Sequence, residues 1–251
     1  MAKKKAAPKV STAARPAHKT TPIPRSHQGG ESVAPEPAES APLEEEPEQP
    51  GNGLFPIVGI GASAGGLEAF SELLQALPQD TGMAYVFVQH LDPRHVSLLT
   101  GLLQRHTQMP VLEASDQLKV EPNHVYVIPR NAHMNVNSGV LSLSPRHSSP
   151  QPHMSIDPFL RSLAADQKSK AIGVILSGSA SDGSLGMMAI KASGGITFAQ
   201  SSDTAKYDGM PRSAVAAGCI DFVLSPRDIG RELARLGRHP YVVPVASREP
   251  N

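Results

Sequence analysis

A serine stands in a glycine-rich turn, directly after an apolar run of the sequence. Ser63 is the third residue of GASAGG, residues 61–66, and follows the apolar residues 55–60. Small neighbours let the backbone turn sharply after a strand, and the amides that open a following helix would face a negative charge formed on a substrate oxygen. The spacing fits the G-x-S-x-G pattern of a nucleophilic serine. The turn therefore predicts attack by the Ser63 hydroxyl on an acyl substrate.

A histidine and an aspartate follow two later apolar runs. His90 closes the run at residues 84–89, and Asp182 follows the run at 171–177 after a short turn. A neutral imidazole can take the proton of a serine hydroxyl, and a carboxylate can fix the tautomer of that imidazole. The sequence therefore predicts a Ser-His-Asp triad. Its chain order differs from the Ser, Asp, His order of α/β-hydrolases, which disfavours an ordinary lipase or esterase.

Each of these residues has an alternative interpretation. Ser63 could cap a helix, His90 could simply end a strand, and Asp182 could belong to a helix cap or turn. His239 is a weaker candidate base, because its surroundings resemble a solvated chain end. The glycines around Ser63 also resemble a dinucleotide-binding loop, but they are spaced one residue too far apart for G-x-G-x-x-G. In addition, no acidic residue ends the second strand to bind a ribose.

The remaining histidines and the cysteine do not predict a metal site. His90 and His95 flank a stretch typical of a loop, with Asp92 as the nearby carboxylate. His133 falls in a predicted hairpin, where a structural role is favoured over an approach to the active rim. Cys219 is the only cysteine, which excludes an internal disulfide and a cysteine-based metal cluster. We expect it to be a small buried side chain.

The elements that would position these residues alternate between strand and helix. The pattern predicts strands at 55–60, 84–89, 124–128, 171–177, 195–200 and 220–224. It predicts helices at 64–76, 94–106, 156–166, 183–193, 210–217 and 226–236, and a hairpin at 133–143. This alternation indicates a doubly wound α/β fold with a mainly parallel sheet, helices on both faces and one β-hairpin. Because such folds bind ligands beyond the carboxyl ends of their strands, we expect Ser63, His90 and Asp182 on one rim.

Composition divides the 251-residue chain into a tail and a folded part. Residues 1–52 are rich in Pro, Ala, Ser, Lys and Glu, and bury too little apolar surface to offset the ordering of their backbone. We expect a disordered tail at 1–52, a catalytic domain at 53–240 and a C-terminal tail at 241–251. The 23 basic and 23 acidic side chains balance, which predicts no general attraction to nucleic acid. No apolar stretch reaches about 18 residues, so we expect a soluble, cytoplasmic protein without membrane insertion.

Several motifs in order make residues 55–238 resemble the catalytic domain of the chemotaxis receptor methylesterases, the CheB family. They are GIGASAGG (59–66), VQHL (88–91), VYVIP (125–129), LSG (176–178) followed by DG (182–183), and DGMPR (208–212). The form of residues 89–95 is most similar to the methylesterase part of larger methylesterase–methyltransferase fusions.

The resemblance implies hydrolysis of γ-glutamyl methyl esters on the cytoplasmic helices of chemoreceptors, with release of methanol. Some members of the family also deamidate receptor glutamines. By resemblance, Ser63 is the nucleophile, His90 the general base and then acid, and Asp182 the orienting carboxylate. No cofactor is implied. A backbone amide near Ala64 is the candidate donor to the oxyanion.

The chain also departs from the pattern of the family. Ala64 stands where threonine is frequent, Ser179 where methionine is usual, and Ala180 where glycine is usual. An alanine in that turn costs stability if its φ is positive. No aspartate precedes Asp80, so we expect no receiver domain in residues 1–52 and control, if any, by a separate regulator in trans, the tail or expression. These departures keep open a second function, a catalytically silent signalling module of the same fold that binds a helical partner.

Overall fold

A computed structural model describes residues 55–90, 98–145 and 154–239. The strands of the described part are β1 Ile57–Ala62, β2 Ala84–Gln89, β3 Val111–Glu113, β4 Leu118–Lys119, β5 Val125–Val127, β6 Ala132–Asn137, β7 Val140–Pro145, β8 Ile172–Ile175, β9 Ile196–Gln200 and β10 Phe222–Leu224. Its helices are α1 Gly66–Gln75, α2 Leu99–Gln104, α3 Ile156–Gln167, α4 Ser184–Ala192, α5 Gly209–Ala216 and α6 Pro226–Gly237, with a short 3₁₀ turn at Lys168–Lys170.

The main sheet is parallel, and the chain adds strands on both sides of its first strand, β1. Its strand order is β10-β9-β8-β1-β2-β5-β3, and every pair in it is parallel. The chain leaves β1 toward β2 on one side and later returns to β8 on the other side of β1. In a doubly wound fold this switch point opens a crevice at the carboxyl ends of the strands, where ligands bind.

Helices cover both faces of this sheet, as the sequence predicts. One core packs α3, α4 and α5 against the sheet, and the other packs α1, α2 and α6 against its opposite face. Every residue of β1 is buried, which explains why its sequence is a continuous apolar run and does not alternate. On the second face, the rings of Phe70 and Phe87 stack with their centroids 4.3 Å apart.

A glycine in β1 sets how closely the first turn of α3 approaches the sheet. A Cβ atom on Gly61 would come within 2.4 Å of the Ile156 Cγ2 atom and 3.0 Å of Ile175 Cδ1. Only a residue without a Cβ lets α3 begin this close to β1. The glycine spacing that resembles a dinucleotide loop is thus explained at Gly61 by helix packing.

A small antiparallel sheet contains the predicted hairpin. Strands β6 and β7 pair antiparallel and are joined by Ser138 and Gly139, whose φ angles of 53° and 69° are those of a type I′ hairpin turn. Strand β4 adds a third strand on the other side of β7. The sequence did not predict β3 or β4, because runs of three and two residues are too short to show a period.

The predicted strands and helices of the catalytic domain are otherwise present within a few residues of their expected ends. Helix α2 is shorter than the predicted helix at 94–106, whose first residues lie outside the described part. Both predicted tails also lie outside it, so the expected disorder of 1–52 and the tail at 241–251 remain predictions. None of the helices in the three described ranges is long and apolar enough to cross a membrane.

Candidate active site

The first two strands of the sheet carry Ser63 and His90 to neighbouring positions. Ala62 and Gln89, the last residues of β1 and β2, pair in the parallel register, so Ser63 and His90 directly follow the two strands. The His90 amide donates to the Ala62 carbonyl at 3.3 Å. Adjacent strands of a sheet lie about 4.8 Å apart. The predicted nucleophile and base are therefore side by side at the carboxyl end of the sheet.

Asp182 reaches the same place from the loop between β8 and α4. Its Oδ2 atom lies 2.7 Å from His90 Nε2, across 92 positions of sequence. The Asp182 side chain is 4% exposed and that of His90 is 26% exposed. The imidazole thus donates its Nε2–H to a buried carboxylate, while its Nδ1 remains available for another proton. The structure brings together the predicted base and the predicted orienting group.

The amino terminus of α3 holds the Asp182 carboxylate from its other side. The Ile156 amide donates to Oδ2 at 3.1 Å, and the Asp157 amide donates to Oδ1 at 3.0 Å. Burial raises the pKa of Asp182, but the hydrogen bonds from His90 and from these two amides outweigh it and leave the pKa below its ordinary value of 3.8. Asp182 is therefore ionised at neutral pH, where the proposed reaction would take place.

The turn that carries Ser63 is fixed by its backbone. The Ser63 amide donates to the Ser177 carbonyl at 3.0 Å, and the Ser63 carbonyl accepts from the Gly66 amide and from Gln89 Nε2. Gly65 caps α1 with φ of 73°, and a Cβ atom there would lie 2.7 Å from Ser177 Oγ. The left-handed residue is thus Gly65, two positions beyond the nucleophile, and Ser63 itself has ordinary φ, unlike the strained serine of α/β-hydrolases.

Two amides near Ser63 differ in whether they could bind an oxyanion. The Ser63 amide is already bonded to Ser177. In the described part of the chain, the Ala64 amide donates to no other group, and Ala64 is exposed. The Ala64 carbonyl accepts from Ser177 Oγ at 2.8 Å. The Ser63 carbonyl, which shares a peptide plane with the Ala64 amide, accepts from the Gly66 amide at 3.0 Å and from Gln89 Nε2 at 3.1 Å, and these two bonds fix that plane. The predicted oxyanion donor at Ala64 is therefore available and oriented.

Ser63 Oγ forms no hydrogen bond with the residues that the structure describes. The His90–Asp182 pair is thus formed in advance, and the bond from serine to histidine is not. Such bonds are often long in unliganded enzymes and shorten when substrate binds.

Ser177 holds the Ser63 turn in place, a contact that the sequence analysis did not predict when it named Ser177 as part of the LSG motif. Ser177 Oγ also accepts from the Tyr207 amide at 3.0 Å, and the Gly178 amide donates to the Tyr207 carbonyl at 2.9 Å. These bonds tie the nucleophile turn to the segment before α5. A buried polar residue at the end of an apolar run, two positions after β8, is the signal that could have identified it.

The other residues singled out in the sequence lie away from the triad or have structural roles. His239 follows α6, whose Gly237 lies against the Thr81 carbonyl just before β2. This is the end at which the strands begin, whereas Ser63 lies where they finish. His239 is therefore not the base of this site. His133 lies in β6. Cys219 is buried, as predicted, and burial raises the pKa of its thiol. No group of three metal-ligating side chains occurs among residues 55–90, 98–145 and 154–239.

Residues 58–233 match the protein family described as CheB methylesterase. The chain belongs to the CheB methylesterase family. A fold comparison agrees: the crystal structure of the Thermotoga maritima CheB methylesterase catalytic domain is similar with a TM-score of 0.67 and 31% identity, over 72% of this chain and 98% of that one.

Curated CheB-type relatives carry matching names. The "Protein-glutamate methylesterase/protein-glutamine glutaminase 2" of Burkholderia pseudomallei (strain 1710b) is 35% identical over 80% of this chain. A putative enzyme with the same activities in its name, from Leptospira interrogans, is 33% identical over 74% of this chain and 96% of its own length. The chain spans 57% of the length of the Burkholderia protein.

One departure from the CheB pattern has a visible structural cost. Ala180, in the loop between β8 and Asp182, has φ of 70°. That conformation favours glycine and costs a residue with a Cβ atom about 1–2 kcal/mol. The condition under which the sequence predicted a loss of stability at this position is therefore met.

Proposed function

We propose that this protein hydrolyses γ-glutamyl methyl esters on the cytoplasmic helices of chemoreceptors through a Ser63–His90–Asp182 triad. The observation that carries the proposal is the 2.7 Å hydrogen bond between His90 and a buried Asp182, one strand away from the Ser63 turn. Membership of the CheB family and the names of the relatives support the choice of substrate.

In the first half of the proposed reaction, Ser63 Oγ attacks the ester carbonyl while its proton passes to His90 Nδ1. Asp182 holds Nε2–H and stabilises the resulting imidazolium. The negative charge on the former carbonyl oxygen is bound by the Ala64 amide. Loss of one such donor costs about 10²–10³ in rate in a comparable enzyme. Collapse of the tetrahedral intermediate transfers the proton from His90 to the methoxy oxygen and releases methanol.

In the second half, water replaces methanol at the same site. His90 Nδ1 takes a proton from the water as its oxygen attacks the γ-glutamyl ester on Ser63. The proton then returns to Ser63 Oγ, which leaves, and the receptor side chain becomes a glutamate. An amide in place of the methyl ester would release ammonia by the same steps, in keeping with the glutaminase activity in the names of the relatives.

The nitrogen assignment in this mechanism is the reverse of the one in trypsin-like triads. There the aspartate binds Nδ1 and the serine faces Nε2. Here Asp182 binds Nε2, so Nδ1 carries the lone pair for the Ser63 proton. The chemistry is equivalent, because either tautomer presents one donor and one acceptor nitrogen.

The proposed setting is the cytoplasm, where receptor signalling helices lie. The partners that we propose are the methylated receptor helices and a separate regulator that acts in trans.

Methanol release from a methylated receptor fragment tests the proposal. We expect release by the wild type, and background release only by Ser63→Ala and His90→Ala. Ser169→Ala is the matched control, because Ser169 is exposed in the 3₁₀ turn after α3 and should leave the rate unchanged. Release by Ser63→Ala at the wild-type rate would contradict the triad. A folded wild type that binds the fragment without releasing methanol would instead favour the silent binding module.

A further inference from the structure

Two aspartate side chains, Asp182 and Asp157, link the loop before α4 to the first turn of α3 by hydrogen bonds to backbone amides. Asp182 accepts the Ile156 and Asp157 amides at the start of α3. In return, Asp157 Oδ1 accepts the Gly186 amide in the first turn of α4, at 2.7 Å. Each aspartate thus satisfies backbone donors at the start of the other's helix, where carboxylates are favoured. Asp157 is 5% exposed, so this exchange takes place away from water.

The Asp157 carboxyl group is only half satisfied. Its Oδ2 atom is buried and accepts no hydrogen bond from any described residue. A buried carboxylate with a bare oxygen is costly, whereas a neutral carboxyl group in the same place is much less so. The helix-capping aspartate of the site is therefore better suited to the protonated state than to the charged one.

The charges around Asp157 favour the same state. Across the contact stands the ionised Asp182, with His90 beyond it, and on α3 itself Arg161 lies one turn later. Strand β1 and the first turn of α4 supply no charged side chain. Burial raises the pKa of Asp157 most, and the Asp182 charge raises it further. The backbone amides of Gly186 and Gly183 and the charge of Arg161 lower the pKa, and the net result is a rise. Two nearby carboxyl groups with pKa values pushed apart typify a site that assigns them different roles.

We propose that Asp157 is a positioning residue for the triad, which holds the Asp182 loop in place as a neutral acid. It fixes the first turn of α4 through Gly186, and its own amide holds Asp182 Oδ1. Asp182 can then carry the only negative charge of the pair and direct it toward His90. This inference rests on the proposed function, because it concerns the rate of the same reaction.

Kinetics of two Asp157 variants of the full chain test the proposal. Asp157→Asn keeps a neutral group with an acceptor oxygen for Gly186, so kcat should stay within about twofold of wild type. Asp157→Ala removes the acceptor and should lower kcat by about tenfold to a hundredfold at unchanged KM, since misplacement of a catalytic group by about 1 Å costs up to about 10²-fold. The acid limb of the kcat/KM profile should coincide for Asp157→Asn and wild type.

A matched control lies at the other end of the same helix. Asp166 holds the amides of Ser138 and Gly139 in the hairpin turn, so it also caps backbone donors but is remote from the triad. Asp166→Ala should lower the melting temperature without changing kcat. This variant separates loss of stability from loss of positioning.

Three results would overturn the proposal. One is an Asp157→Ala variant with wild-type kcat. The second is an Asp157→Asn variant as slow as Asp157→Ala. The third is an acid limb of the kcat/KM profile that moves to lower pH in Asp157→Asn, which would show that the variant removes a negative charge from the surroundings of the triad.

A second readout keeps this test separate from the test of the proposed function. The rate at which a fluorophosphonate labels Ser63 depends on the triad and not on a receptor substrate. If the wild type releases no methanol, the proposed function fails, and the labelling rates of the two Asp157 variants still test the positioning role. Equal labelling rates for Asp157→Ala and wild type would overturn it.

Discussion

Hydrogen bonds hold the residues of the proposed triad in place. Asp182 receives three hydrogen bonds, one from His90 and two from the amides that open α3. Ser63 is placed by its own backbone, through bonds to Ser177 and Gly66. At this scale the sequence predicted that Ser63, His90 and Asp182 lie at one rim, because each ends or follows an apolar run, and the structure places His90 in contact with Asp182 beside the Ser63 turn. It could not predict the two amide partners of Asp182, Ile156 and Asp157, which lie 26 and 25 positions earlier in the chain.

Asp182→Asn should lower kcat/KM by about 10³–10⁴, because the amide no longer fixes the donating tautomer of His90.

The stability of the protein should also change with pH. Asp182 has a folded-state pKa below 3.8, so its contribution is present above that pH and is lost as pH falls through 3.8 toward the folded-state value. Urea unfolding between pH 7 and pH 3 should show a flatter decline for Asp182→Asn. A decline as steep as that of wild type would argue against this assignment.

Ala180→Gly should raise the free energy of unfolding by about 1 kcal/mol, because it removes the cost of a Cβ atom at φ of 70°. Ala165→Gly is the matched control. Ala165 is exposed inside α3, where the same change should lower stability by about 1 kcal/mol. Chemical denaturation of both variants measures the difference. Equal losses in the two would show that Ala180 carries no strain.

Helix α3 is the element on which the site depends most. Its amino terminus lies over β1 because Gly61 has no Cβ, and the same turn supplies two amides to Asp182. The sequence predicted α3 at 156–166 and the structure places it at Ile156–Gln167, so its existence and extent were accessible. Its contact with the Asp182 carboxylate was not accessible, because a contact between distant segments leaves no local pattern in the sequence.

Gly61→Ala should therefore affect both stability and activity. The new methyl group would meet Ile156 Cγ2 and push the start of α3 away, at a cost of about 1–3 kcal/mol. The displaced Ile156 amide should loosen Asp182 and lower kcat. Gly101→Ala is the control, since a Cβ atom there meets nothing within 4 Å and the change should slightly stabilise α2. Thermal melting of both variants measures the change in stability, and methanol release measures the change in kcat. Unchanged kcat in a destabilised Gly61→Ala would separate α3 from catalysis.

At the scale of the whole molecule, the order of the strands explains why Ser63, His90 and Asp182 lie at the same end of the sheet. Strand β1 lies between β2 and β8 in the sheet, although β8 comes much later in the chain than the other two. Alternation of strands and helices predicted a parallel sheet and the rim on which the residues lie. It did not predict the order of the strands, since pairing between distant segments leaves no local pattern.

The most direct test of the account is site-specific labelling of Ser63. The full chain is treated with a fluorophosphonate, digested and mapped by peptide mass spectrometry, beside His90→Ala and a heat-unfolded sample. The account predicts one phosphonyl group on Ser63 in the folded wild type, and slow or absent labelling in His90→Ala and in the unfolded chain. Labelling of another residue, or none on a protein shown to be folded, would contradict the claim that Ser63 is an activated nucleophile.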